Sequence, residues 1–184
     1  MKIPAMRGGL ALFPCLLLCL VCSVPLWAQK EKREPLNEKQ IEEIREAGVF
    51  PEGRIALYVK YLNERAETLK ALAKRAHSAA RSQRLNEELL DFTALMDELS
   101  SNLDQYGERK ADMRKSLKKL NEDAPRWLEM LRALPPEAGF ELAQKEAIES
   151  GHDLAEEAAT MLQHQTEYFA VHKDESGQER AEPK

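Results

Sequence analysis

Residues 85–120, LNEELLDFTALMDELSSNLDQYGERKADMRKSLKKL, decide how this chain folds. Leu85, Leu89, Phe92, Met96, Leu99, Leu103 and Tyr106 recur at steps of four and three, the spacing that lays an apolar stripe along one side of an α-helix. The stripe skips Lys110 and resumes at Met113, Leu117 and Leu120, which predicts one helix running to residue 120. Upstream, Ile55, Val59, Leu62, Ala66, Leu69, Ala73, Ala76 and Ala80 follow the same alternation, and Gly53 is the only glycine or proline between Pro51 and Gly107. The step from Ala80 to Leu85 is five, so the phase breaks and a turn is expected at Arg81–Arg84, joining two antiparallel helices.

Later breaks carry clearer marks. Asp123-Ala124-Pro125 reads as a cap followed by proline at the first helical position, opening a short helix to Leu134 that turns Trp127, Leu128 and Leu131 inward. Pro135-Pro136 ends it. A last helix over Glu137–Val171 uses Phe140, Ala143, Ala147, Leu154, Ala158, Met161 and Tyr168, while Asn37 caps a small helix to Ala47 that Gly48 and Pro51 stop. The expected fold is all-α: an antiparallel bundle of three long helices plus short connecting helices over residues 51–171. A polar tether and the small helix occupy 29–50, and a mobile tail 172–184. Leu62, Leu69, Leu89, Phe92, Met96, Leu99, Leu103, Leu117 and Trp127 are the expected core.

Charge follows the stripes. Bases crowd Lys70, Lys74, Arg75, Arg81 and Arg84, and the next helix opens with Glu87, Glu88, Asp91, Asp97 and Glu98, so an antiparallel hairpin sets sign against sign. The same antiparallel pairing is expected between the basic run Arg109–Lys119 and the acidic opening of the last helix at Glu137, Glu141, Glu146 and Glu149. Exposed pairs contribute only a few tenths of a kcal/mol, about 0.2–1, so charge selects the pairing and packing holds it.

The first 28 residues set the expected compartment. Lys2 and Arg7 precede an apolar core from Leu10 to Val24, and Pro25 breaks any helix just before Leu26-Trp27-Ala28. That is the layout of a secretory signal peptide cut after Ala28. An uncleaved anchor over residues 8–28 is the alternative, since about 20 apolar residues span a bilayer. Val21 before Cys22 disfavours lipidation. All three cysteines lie in this segment, so residues 29–184 can form no disulfide and no thiolate site. Those 156 residues carry 25 basic and 32 acidic side chains, a formal charge of −7, which excludes a general nucleic-acid binder.

Candidate chemistry is sparse. Glu149 and His152 have the Glu-x-x-His spacing of di-iron bundles, but those need two such pairs and two more glutamates, so no metal or cofactor is expected. His164 and His172 are eight apart and miss the spacing of zinc-binding helices. No phosphate loop, nucleophile elbow or triad spacing is present, and no catalytic residue is assigned. Lys110, Arg114, Lys115, Lys118 and Lys119 could grip an anionic surface, with Lys110, Arg114 and Lys118 at i, i+4 and i+8. Their structural alternative is a solvated face.

The tripeptide Leu-Asn-Glu occurs at Leu36, Leu62, Leu85 and Leu120 without a regular period. The first copy, Leu36-Asn37-Glu38-Lys39-Gln40, resembles over five residues the Leu-Thr-x-x-Gln element of small periplasmic helical chaperones and stress sensors, with Asn in place of Thr. The expected function is an exported, non-enzymatic helical module that binds or scaffolds an envelope protein or anionic surface. The resemblance implies a periplasmic chaperone as runner-up, and a metal-binding bundle ranks last.

Overall fold

The computed structural model describes residues 33–48 and 50–177, and every regular element among them is helical. Helix α1 spans Glu38–Glu46, α2 Pro51–Ala73, α3 Ala79–Glu108, α4 Arg114–Arg132 and α5 Glu141–Val171, with a 3-10 turn at Lys173–Glu175. At the start of α1, Asn37 Oδ1 accepts from the Gln40 amide at 3.0 Å and Gln40 Oε1 accepts from the Asn37 amide at 3.1 Å, a reciprocal capping box. Gly48 ends the segment at φ 65°, in the left-handed region that glycine adopts without cost.

The turn between α2 and α3 lies at residues 74–78 rather than at Arg81–Arg84. Ser78 Oγ accepts from the Arg81 amide at 3.2 Å and starts α3 there. Arg81 fills the first core position, 4% exposed, and donates to the Leu72 and Ala73 carbonyls, each at 3.1 Å, and to Glu137 at 2.6 Å. The stripe therefore runs 81, 85, 89, 92 in unbroken phase, and Ala76 and Ala80 are exposed. Apolar periodicity misses this start because a charged residue suits a core only when it is fully paired and bonded.

Lys110 marks the next difference. Its φ is 54°, its amide donates to Gly107 O at 2.9 Å, and the Ala111 amide donates to Tyr106 O at 3.1 Å. Those paired bonds close α3 in a Schellman motif. Met113, Leu117 and Leu120 therefore belong to the next turn and to α4, which runs on through Asp123-Ala124-Pro125 to Arg132. Pro125 is exposed, so water can satisfy the Asn121 carbonyl that loses its amide donor. Asp123 is buried and caps nothing; Lys119 and Arg126 donate to it at 3.0 and 3.3 Å. The last helix opens at Glu141, with Glu137 in the preceding turn, so the long helices among the described residues number four rather than three.

Cross-helix pairs fix their directions. Tyr58 with Glu98 and Arg65 with Glu88 set α2 antiparallel to α3. Ser82 with Glu137, Asp97 with Ser150, and Ser100 with Glu157 set α3 parallel to α5. Glu52 with Lys115 and Asn63 with Trp127 set α2 parallel to α4, while Met113 with Gln165 and Leu131 with Gln144 set α4 antiparallel to α5. Each long helix packs on two neighbours, in the order α2, α3, α5, α4 around the core. The loop 109–113 thus crosses one end of the bundle diagonally.

All nine expected core residues are at most 2% exposed. Phe92 and Trp127 meet edge to face at 6.2 Å. At Gly151 a Cβ would sit 3.1 Å from Leu128 and 3.5 Å from the Met96 sulfur, so α4 and α3 side chains pack closely against the α5 backbone there.

Both ends of the described chain are pinned. Arg33 pairs with Asp91 and donates to the Glu87 carbonyl at 3.2 Å, and Arg65 donates to the Pro35 carbonyl, which lays the approach to α1 across α2 and α3. After α5, the Gly177 amide donates to Asp112 at 2.7 Å and Arg114 to Ser176 at 2.6 Å, so the segment expected to be mobile from residue 172 is docked as far as Gly177. The leader or anchor of residues 1–28 and the stretch 178–184 lie outside the described residues. No helix among the described residues is long and apolar enough to cross a membrane.

Candidate functional site

The structure splits the basic run. Arg114, Lys115, Lys118 and Lys119 open α4 and line a groove of about 760 Å3 that also holds Glu52, Asp112 and Glu122. Arg114 donates to both oxygens of Asp112, at 2.9 and 2.7 Å, and its guanidinium lies 4.7 Å from the Phe169 ring centroid. Those Arg114 bonds hold the Asp112 carboxyl down to about 2 against its burial, helped by the Gly177 amide. Lys115 pairs with Glu52, and Lys119 with Asp123. Three of the four cations are thus answered within the fold; Lys118 has no ion pair among the described residues. The acidic opening of α5 lies at the opposite end of the bundle, because α4 and α5 are antiparallel, so it does not neutralise this run.

Lys110 stands apart from its sequence neighbours. It sits at the mouth of a cleft of about 280 Å3 lined by Gly107, Met161, His164, Tyr168 and Phe169. Its Nζ lies 5.6 Å from the Tyr168 ring centroid, and His172 stacks on that ring at 4.1 Å. The buried Gln165 side chain donates to the Ala111 carbonyl and accepts from the Met113 amide, both at 2.8 Å, which fixes the 109–113 loop against α5. No apolar pattern signals Gln165. Its only sequence signal is position, four residues before Phe169 and seven after Ala158 on the inward side of α5.

The Glu-x-x-His pair points away from the interior. Glu149 and His152 are 64% and 61% exposed and face Lys145 and Glu156, while Gly151 between them takes the core position. His164 is exposed at the cleft, and the His172 ring nitrogen lies 3.0 Å from the Tyr168 carbonyl. Among the described residues no three His, Cys, Asp or Glu are placed to share a metal ion.

No family model matches the chain, and no curated protein or solved structure matches it.

Two further polar sites hold helices together. In the α2–α3 seam, Tyr58 donates to Glu98 at 2.8 Å, Asn102 donates to Tyr58 at 3.3 Å and to the Glu98 carbonyl at 2.7 Å, and Tyr106 donates to Asn102 at 3.4 Å. Burial, and then Glu98, push the Tyr58 phenol up to about 12. In the α3–α5 seam, Ser100 donates to Glu157 Oε2 while Oε1 is buried without a partner. Burial first, and Asp104 beside it, raise the Glu157 carboxyl. Both clusters set helix register.

Proposed function

We propose that the chain is an exported, non-enzymatic helical bundle of the cell envelope or periplasm that binds or scaffolds a partner at its surface. The observation that carries this reading is the close packing around Gly151: even a Cβ there would lie 3.1 Å from Leu128 and 3.5 Å from the Met96 sulfur, so at that level the described helices leave no room for a substrate or cofactor. Binding then falls to the outer faces and ends. The basic head, apolar run and Ala28 of the leader support export. The outward Glu149 and His152 weigh against a metal bundle.

The chaperone reading has one observation of its own. The Leu36–Gln40 element that resembles periplasmic chaperones forms a working capping box on α1. Suppression of client aggregation by the purified chain would favour it, and no effect on several clients would remove it.

Affinity capture from the envelope of the native host tests the main reading. The captured chain is expected to begin at Gln29 and to bring down an enriched partner without detergent. A chain retaining Met1 to Ala28 and needing detergent for release would contradict export, and the absence of any enriched partner would contradict scaffolding.

A further inference from the structure

We infer that the cleft under Lys110 binds a small carboxylate with a flat apolar body, the carboxylate on Lys110 and the body against Met161, Tyr168 and Phe169. This assignment rests on the surface-binding reading and names a ligand class for it. Three observations converge. The cleft, about 280 Å3, lies just below the usual range of about 300–1,000 Å3 for small-molecule sites, so it suits a ligand the size of one ring. Its walls are thioether and aromatic. The residues lining it carry one fixed positive charge, Lys110, and no acid. Glu175, close by, is engaged by the Tyr168 hydroxyl at 2.8 Å.

The backbone makes Lys110 more than a passing surface lysine. It occupies the left-handed residue that closes α3, at φ 54°, a position where glycine carries no penalty, asparagine a small one and other side chains a larger one. A cation is not needed there to answer the helix carbonyls, since Arg109, one residue earlier, already stands at that end and lies 5.7 Å from the Tyr106 ring. Lysine at this position therefore costs backbone strain that only its 5.6 Å approach to the Tyr168 ring offsets within the fold, the pattern of a side chain kept for binding. Fixing the loop through Gln165 presets where the ammonium stands, which lowers the ordering cost of capture.

The test uses the full chain with labelled methionine methyls, titrated with phenylacetate and followed at the Met161 methyl by NMR. Saturable shifts are expected with a Kd on the order of 1 mM, and phenylacetamide, neutral and of the same shape, should produce none. Lys110→Gly should raise the thermal midpoint by about 2–4 °C and weaken phenylacetate binding about tenfold, while Lys110→Arg keeps it. That split separates binding from folding, because the variant that binds worse is the one that folds better. A peptide ending in phenylalanine, with its terminal carboxylate free or amidated, distinguishes sources: tighter binding of the free form than of phenylacetate assigns a peptide terminus, and weaker binding a free small acid. Equal shifts with phenylacetamide, unchanged binding by Lys110→Gly, or no saturable shift up to about 10 mM would overturn the assignment. Capture of an envelope partner by a chain that shows no saturable phenylacetate shift would sink this inference and spare the scaffold reading; phenylacetate binding with no captured partner would do the reverse.

Discussion

Trp127, in the middle of α4, donates its indole N–H to the side-chain carbonyl of Asn63, in the middle of α2, across 2.8 Å. The indole is otherwise buried in the core, so this bond satisfies the one polar atom that the aromatic side chain brings inside. It also explains why an asparagine sits in mid-helix, where the side chain would otherwise compete with the backbone.

Asn63→Ala should cost about 1–2 kcal/mol in urea unfolding, because it leaves the Trp127 donor unpaired. In a Trp127→Phe background, which has no donor, the same change should cost almost nothing. Equal costs in both backgrounds would show that the pair is not coupled.

Arg81→Ala should lower stability by about 3 kcal/mol, since two carbonyls at the end of α2 lose a charged donor in a buried place. Glu137→Gln should cost less, because Arg81 keeps both carbonyls. A larger effect from Glu137→Gln than from Arg81→Ala, measured by thermal unfolding, would contradict the role assigned to the arginine.

Much of the fold is legible in the sequence because the stripes are leucine-rich and regular; each of the nine residues expected in the core is there. What escapes is where polar residues do the work of apolar ones. Arg81 begins the α3 stripe, Gln165 and Gly151 fill inward positions of α5, and Asp123 is buried rather than capping, so periodicity shifted one turn and invented a helix start. The left-handed residue that ends α3 is Lys110 rather than a glycine, and Gly107 lies three residues too early to mark it, so the stripes predict three long helices where the described residues form four. The cleft follows from that break: with α3 carried through Lys110, the lysine falls on a helix face with Arg114 and Lys118 and never reaches Tyr168.

Glu157 makes stability depend on pH. Burial raises its carboxyl above the ordinary value of 4.5, so the folded state favours the protonated form. That form's contribution is fully present below 4.5 and is lost as pH rises through the folded value. Glu157→Gln should therefore raise the thermal midpoint at neutral pH, and the gain should vanish in acid below 4.5. A gain of the same size at both pH values would point to a packing effect instead.

The direction of α5 relative to α3 carries the whole arrangement, including the meeting of the 109–113 loop with Tyr168. Residues 29–184 contain no cysteine, so introduced pairs can be read without background. Asp97→Cys with Ser150→Cys, positions whose native side chains meet at 2.7 Å, should be joined rapidly by a short thiol cross-linker in the folded protein. Lys118→Cys with Glu141→Cys, which an antiparallel three-helix bundle would bring together, should not be joined. Linking of the second pair and not the first, read by intact mass, would contradict the four-helix arrangement and the cleft built on it.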